Sequence, residues 1–520
     1  MKRMKKLLAG LLAVVMLLSM AACGNKESGA PADSKDPATE GIAGKDTLVI
    51  AQGADPKSLD PYGTTDTPAI RVANCIYESL VTLDDDGNIQ PCLAESWEVV
   101  DDTTYLFHLR KGVKFHNGEE LKASDVAFSF SKIAESPHAE SIRATIDFEN
   151  SKAINDYTFE MKMSEPFGAI LNHMAHAVMA IVNEKAYTEA GDQVSQNPCG
   201  TGPYKFVSWA TGDRIDLVAN EEYWGDAPLI KNVTWRAIPE ASTRTVEVEA
   251  GTSDIVIDAP ANEIDRLESN PKVNVLRHAA SSVDFIAFNN TMAPFDNVKV
   301  RQAINMAINK EAIQKVVFHN TGVIAAAPMS SSVWAFNDQL EPSTYDPEAA
   351  KELLAEAGYP DGFEMTITCD ESQQRHDIAE MVQEMLSPLG ITVEIRPMER
   401  GAYIDKVIAG ELECFSLGWT SDTGDPDYAL YASFHSSQHG AAGNMSFYTN
   451  EEVDELLQTG RTSTDPEVRK EAYLKAQEII WEEVPCIFLH CQENLFAYNA
   501  DLQGFDVDFG GELKLTQMHF

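Results

Sequence analysis

Cysteine and histidine offer the widest chemistry in this chain, as nucleophile, base or metal ligand, so their spacing is informative first. The eight cysteines are Cys23, Cys75, Cys92, Cys199, Cys369, Cys414, Cys486 and Cys491. None of them forms the paired C-x-x-C of a zinc site, and once Cys23 is set aside their odd number leaves at least one thiol free, with one disulfide open to the rest. His435 and His439 stand four apart, but only serines and a glutamine lie between them, which is poor ground for a metal centre. No H-E-x-x-H, G-x-S-x-G or Walker A pattern occurs, and Gly200-Thr201-Gly202 lacks the third glycine of a dinucleotide loop. No catalytic residue, cofactor or metal is expected.

Cys23 is the exception, because of what precedes it. Residues Met1 to Lys6 carry four positive side chains, and Leu7 to Leu18 is an uncharged apolar run of twelve. That run is too short to span ~30 Å of hydrocarbon as a mature helix and reads as an export signal. Met20-Ala21-Ala22-Cys23 resembles a bacterial lipoprotein box, which implies cleavage after residue 22 and lipidation of the Cys23 thiol; an ordinary secretory signal is the competing reading. Gly24 to Lys45 is mostly Gly, Ala, Ser, Pro and charged groups, a tether that reaches about 25 Å. Several acyl chains at ~0.8 kcal/mol per buried methylene would hold such a protein at a membrane.

The remaining stretch, 46–520, is longer than one core usually supports, so two or three lobes are expected. A net charge of −41 excludes a phosphate-backbone partner, whose binding depends on lysine and arginine. The acids are scattered rather than blocked, the pattern of a solubility device. No second apolar run approaches eighteen residues.

The elements that must position any site follow an α/β order. Glu364 to Thr368 is β-prone; Ile378, Met381, Val382, Met385, Leu386 and Leu389 keep one helical face; Ile391, Val393 and Ile395 alternate. Two parallel strands with a crossover helix are expected. Asp346-Pro347 and Asp465-Pro466 each announce a helix with a capping carboxylate and a proline in the first turn, and Gly358 ends the earlier one. A third helix is expected after Asp296, with Val300, Ile304, Ala307 and Ile308 inward. The first half offers strands at Thr47 to Gln52 and Tyr105 to Arg110, and turns at Asp86-Gly87 and Asn117-Gly118.

Four stretches then carry a family likeness. They are Leu93-Ala94-Glu95-Ser96-Trp97 running on to 107–118; Gly200-Thr201-Gly202-Pro203-Tyr204 with Asn220 and Tyr223-Trp224; Pro294-Phe295-Asp296 with Val300-Arg301-Gln302-Ala303; and Gly418-Trp419-Thr420-Ser421-Asp422 with Asp425-Pro426-Asp427. In order and spacing the chain resembles family 5 of the bacterial extracellular solute-binding proteins, the peptide and nickel type.

The resemblance implies a two-lobed, periplasmic-binding-protein-like α/β fold, with an extra subdomain in the first lobe and a hinge between lobes. The implied organisation is a signal peptide over 1–22, lipidated cysteine and tether over 23–45, lobe I over 46–283, lobe II over 284–492, and a return to lobe I over 493–520. It further implies a monomeric, lipid-anchored component of an ATP-driven importer on the extracytoplasmic face. Such a component captures short peptides and hands them to a membrane permease coupled to its ATPase. Nickel or other metal chelates, glutathione-like solutes and oligosaccharides are the alternatives within the class; a non-transport receptor lies outside it.

For the site, the resemblance places an aspartate that holds a peptide ammonium at Asp422, where a turn cap is the other reading. Trp419 either stacks on solute or fills the core. Arg375 corresponds to a carboxylate contact in some relatives, or is a solvated surface arginine. Gly63 and Thr64, in Gly63-Thr64-Thr65-Asp66, match a stretch that lines the cleft or forms a surface turn. Trp334 closes Met329-Ser330-Ser331-Ser332-Val333-Trp334, a loop that departs from relatives with prolines before the aromatic. Trp97, Phe107, Tyr223 and Trp224 are expected to pack rather than bind.

Overall fold

Ten strands run through one mixed sheet in the order Thr392–Pro397, Glu364–Cys369, Cys414–Thr420, Val273–Phe288, Cys486–Asn499, Ile255–Ile257, Thr47–Gln52, Asn232–Ala237, Arg214–Ala219 and Tyr204–Ala210. The short strand Val323–Ile324 pairs with Cys486–Asn499 off this path. The computed structural model describes residues 45–520 except 86, 140–142, 422 and 441–442. Cys23, the leader and residues 24–44 of the tether therefore lie outside the described residues, as does Asp422.

The apolar cores divide sharply along the chain. One set of buried side chains comes from residues 48–273 and returns with Leu495, Phe496, Ala497, Leu502, Val507, Leu515 and Met518. The other runs from Val283 to Cys491. Only the strands Val273–Phe288 and Cys486–Asn499 belong to both. They pair antiparallel along most of their length, but the ladder is interrupted between Ala279 and Val283 and again between Asp284 and Phe285. A ladder broken where the cores change is a weak point in bending, since an unpaired residue lets a strand swing. There the Asp284 carboxylate accepts from Gln492 Nε2 at 2.8 Å.

A separate antiparallel sheet, Ala94–Asp101, Thr104–Leu109, Thr158–Met163 and Ile146–Asn155, contributes to the first core together with helix Ala123–Glu135. The expected strand, helix, strand unit is present as Glu364–Cys369, Gln373–Leu386 and Thr392–Pro397, with the two strands parallel. Asp346 and Asp465 cap their helices through the backbone N–H of Ala349 and Glu467. The third helix follows Asp296 as expected, as Val298–Ala307, and is capped by Asn297 accepting from Lys299 N, with Val300, Ile304, Ala307 and Ile308 buried.

The seven described cysteines are all free, and all but Cys199 are buried. Burial pushes the Cys491 thiol up to about 12, and burial raises Cys75, Cys92, Cys369, Cys414 and Cys486 as well. Because the thiolate is the reactive form, a group with that pKa reacts roughly a thousandfold slower near pH 8 than an ordinary thiol. Thiol titration of the folded protein should therefore find Cys199 first, with the six buried thiols appearing only in denaturant. Rapid modification of several thiols in the folded state would contradict this burial.

Candidate functional site

Strand Cys414–Thr420 ends at the second core, and the chain turns there through Ser421 to Asp427. Ser421 N donates to Ser281 O of strand Val273–Phe288 at 2.8 Å and Trp334 N donates to Gly424 O at 3.2 Å, so the loop is pinned from both sides. Beneath it Asp425 accepts two bonds from Arg469 Nη2, at 2.7 and 2.8 Å. Their side chains are only 1% and 7% exposed, so this is a desolvated ion pair. Arg469 Nε donates to Gly460 O at 2.9 Å, and the guanidinium lies over the Trp334 ring at 5.2 Å.

Asp427 repeats the device more weakly. One of its oxygens accepts from Arg461 Nη1 at 2.6 Å, while the other is buried with no bonding partner among the described residues. Burial, opposed by Arg461 and reinforced by the nearby Asp425 charge, pushes its carboxyl up to about 6. The loop that carries Asp422 is thus mounted on two buried carboxylate–guanidinium pairs.

Trp419 stands at one wall of a crevice with Ser281, Phe285, Met329, Ser421 and Phe434. Its indole N–H donates to Tyr428 O at 3.0 Å and its ring tilts over Tyr428, leaving one face to the crevice. The enclosed volume of about 20 Å³ holds roughly one water.

The other expected residues are spread more widely. Trp334 reaches the same loop, through its backbone to Gly424 and its ring to Arg469. Arg375 instead pairs with the buried Asp370, which Arg400 also engages. Burial alone would raise the Asp370 carboxyl, but the Ser372 N–H and the two guanidiniums hold it below the usual carboxylate range. Arg400 is 60% exposed and Arg375 19%, so Asp370 orients Arg375 more tightly. Gly63 lies in a turn closed by its N–H to Asp60 O at 3.0 Å. Thr64 donates to Asp66 just before helix Thr67–Ile76 and faces a separate small recess with Ser58, Pro61 and Val178.

The two histidines are engaged separately: His435 Nδ1 bonds Ser437, and His439 Nε2 bonds Tyr448 O. His376, Asp377 and Glu380 cluster on one helix with their ligand atoms within 4.8 Å of one another, an acidic surface grouping of a common kind.

Residues whose role the sequence did not announce lie in the supports. Glu78, in the first core, accepts from Thr201 Oγ1 at 2.7 Å, Tyr223 OH at 2.7 Å and Trp224 Nε1 at 2.8 Å. Three of the family stretch residues thus converge on one buried carboxylate, and Arg110 lies over the Trp224 ring. Phe107 is fully buried. These groups pack, as expected.

Comparison with known proteins places this architecture. The sequence matches the family described as "Bacterial extracellular solute-binding proteins, family 5 Middle" over residues 88–441. It is 32% identical over 477 residues to the glutathione-binding protein GsiB of Escherichia coli strain K12, covering 89% of this chain and 92% of that one. Among solved structures it resembles the periplasmic binding protein DppA of Helicobacter pylori in complex with the peptide STSA. The identity is 31%, the TM-score 0.74 and the coverage 91% and 98%. It also resembles HbpA2 of Haemophilus parasuis, at 28% identity, TM-score 0.85, and coverage of 91% and 99%.

Proposed function

The chain belongs to family 5 of the bacterial extracellular solute-binding proteins, and from that premise we propose that it captures short peptides between its lobes and delivers them to a membrane permease. As a member of that family it is an extracytoplasmic solute-binding protein of the ABC importer class and not an enzyme. Within it, lobe I is assigned to 46–283 and 493–520 and lobe II to 284–492. The change of core partners between residues 273 and 283, and again between 491 and 495, supports that division.

The observation that carries the peptide reading is the solute named for full-length relatives, glutathione for GsiB and the peptide STSA for DppA. Physically, a binding protein of this kind works by closure: solute touches both lobes only when they meet, so binding shifts an open–closed equilibrium. In this reading Asp422 receives the ammonium, Trp419 stacks beside it, and Arg375, oriented by Asp370, meets a carboxylate. Trp334, Gly63 and Thr64 complete the walls. Glutathione, a tripeptide with a free ammonium and two carboxylates, is the second reading, and the GsiB relatives favour it.

The leader and Cys23 fit a lipid anchor for a monomer at the membrane. No helix among the described residues is long and apolar enough to cross a membrane.

Calorimetric titration with a set of dipeptides and with glutathione tests the reading. Micromolar binding, about 8 kcal/mol, is expected for at least one of them. Asp422→Ala should weaken it by about 1.5–3 kcal/mol, roughly 10- to 150-fold. Equal affinity in both proteins would remove Asp422 from the site, and binding only of a nickel chelate or an oligosaccharide would replace the solute.

A further inference from the structure

The loop 421–427 is gripped from the first lobe as well as from its own. In the C-terminal hairpin, bridged at Val507 and Leu513, Phe509 is buried at 5% exposure, between Gly87 of the first lobe and Gly424 of the loop. Gly424 has φ +66°, and a Cβ there would lie 2.8 Å from Phe509 Cε1, so only glycine permits this approach. One residue earlier, Asn172 Nδ2 donates to Thr423 O at 3.3 Å. Four residues before Asn172, Gly168 N donates to Arg461 O at 2.7 Å, and the Phe167 ring lies 4.7 Å from the Arg461 guanidinium. Tyr431 covers the other face of that guanidinium at 4.4 Å.

These contacts share a design. Phe167 belongs to the first core, and Val507, close to Phe509, does too, whereas the groups they touch belong to the second lobe. Each contact is made to backbone, to a glycine, or to a guanidinium already neutralised by Asp427. None needs a solute atom, so they are available to the protein before anything binds.

We infer that Phe509 and Asn172 are positioning residues: they hold loop 421–427 against the first lobe and so set how often the lobes are closed without solute. The inference rests on the reading of the chain as a hinged binder. It adds that part of the closing energy is built into the protein through a hairpin at its C-terminus. A solute that engages the loop then meets a population already biased toward the closed form, and its apparent dissociation constant is the intrinsic one divided by the closed fraction.

The test uses the full mature chain, with a donor and an acceptor dye attached at positions 207 and 316, both exposed and one on each lobe. In solute-free protein, Phe509→Ala and Asn172→Ala should each increase the mean interlobe separation, while Phe509→Leu restores it toward the wild-type value. Thermal midpoints of Asn172→Ala and Phe509→Leu should stay near wild type. If Phe509→Ala unfolds, Asn172→Ala decides. Unchanged separations in folded variants overturn the inference. The distance readout needs no solute, so failure of glutathione and of alanyl-alanine to bind would count against the peptide reading alone. Where either binds the wild type, its affinity for Asn172→Ala should fall by roughly threefold or more.

Discussion

Asp425→Ala is expected to lower stability by about 3–5 kcal/mol, because it strands the Arg469 guanidinium in a site with almost no water. Burial by itself would lower the arginine's pKa, but the Asp425 charge overrides it and holds the group charged. Without that charge the Gly460 carbonyl, the faces of Trp334 and Tyr473 and the more distant Asp427 carboxyl remain. The expected measurement is a fall in the urea midpoint of the second lobe. Asp425→Ala combined with Arg469→Met should recover most of the loss, since removing both charges also removes the desolvation cost. If the double variant were as unstable as the single one, packing rather than charge would be the role of the pair. A solute titration separates the consequences: Asp425→Ala moves the mount of the loop, so affinity should fall even in conditions where the protein stays folded.

The local grammar of this fold is legible from neighbouring residues, and its tertiary grammar is not. Asp346-Pro347 and Asp465-Pro466 can be read as helix starts because cap, proline and first turn lie within four residues. Glu78 carries no such signal. It is an acid in an ordinary stretch, and its three donors come from more than 120 positions downstream. The Thr201, Tyr223 and Trp224 positions are visible as a family pattern, but what they share is visible only once the chain has folded.

The candidate site divides in the same way. Trp419 and Trp334 both lie against one loop, although 85 positions separate them in the sequence. Arg375 is placed by a short-range feature, since Asp370 is five residues before it. Asp425 is conspicuous within Asp425-Pro426-Asp427, yet its partner Arg469 sits 44 residues on, in the first turn of helix Pro466–Glu483, where no local signal marks it. Phe509 is the extreme case. No periodicity points to it, and its function comes from two glycines, at 87 and 424, that leave room for its ring.

Lys310 gives the second large expectation, and its sign is opposite to that of a paired lysine. It opens helix Lys310–Val316 between Ile308 and Ile313 of the second core and is only 7% exposed. Burial alone pushes its ammonium down to about 7. The folded pKa is therefore below the unfolded value of about 10.4, so between pH 7 and 10 the unfolded chain binds more protons than the folded one. Stability must rise with pH through that window and reach its lower plateau below pH 7, where both states are charged. At about 1.4 kcal/mol per unit the whole change is ~5 kcal/mol, an upper bound for a side chain that can shift toward water. Lys310→Met keeps the apolar stem and deletes the charge. It should stabilise the protein by a few kcal/mol at pH 7 and flatten the slope of stability between pH 7 and 10, read from urea unfolding at three pH values. A variant that is no more stable at pH 7, with the slope intact, would mean that the Lys310 ammonium reaches water in the folded protein.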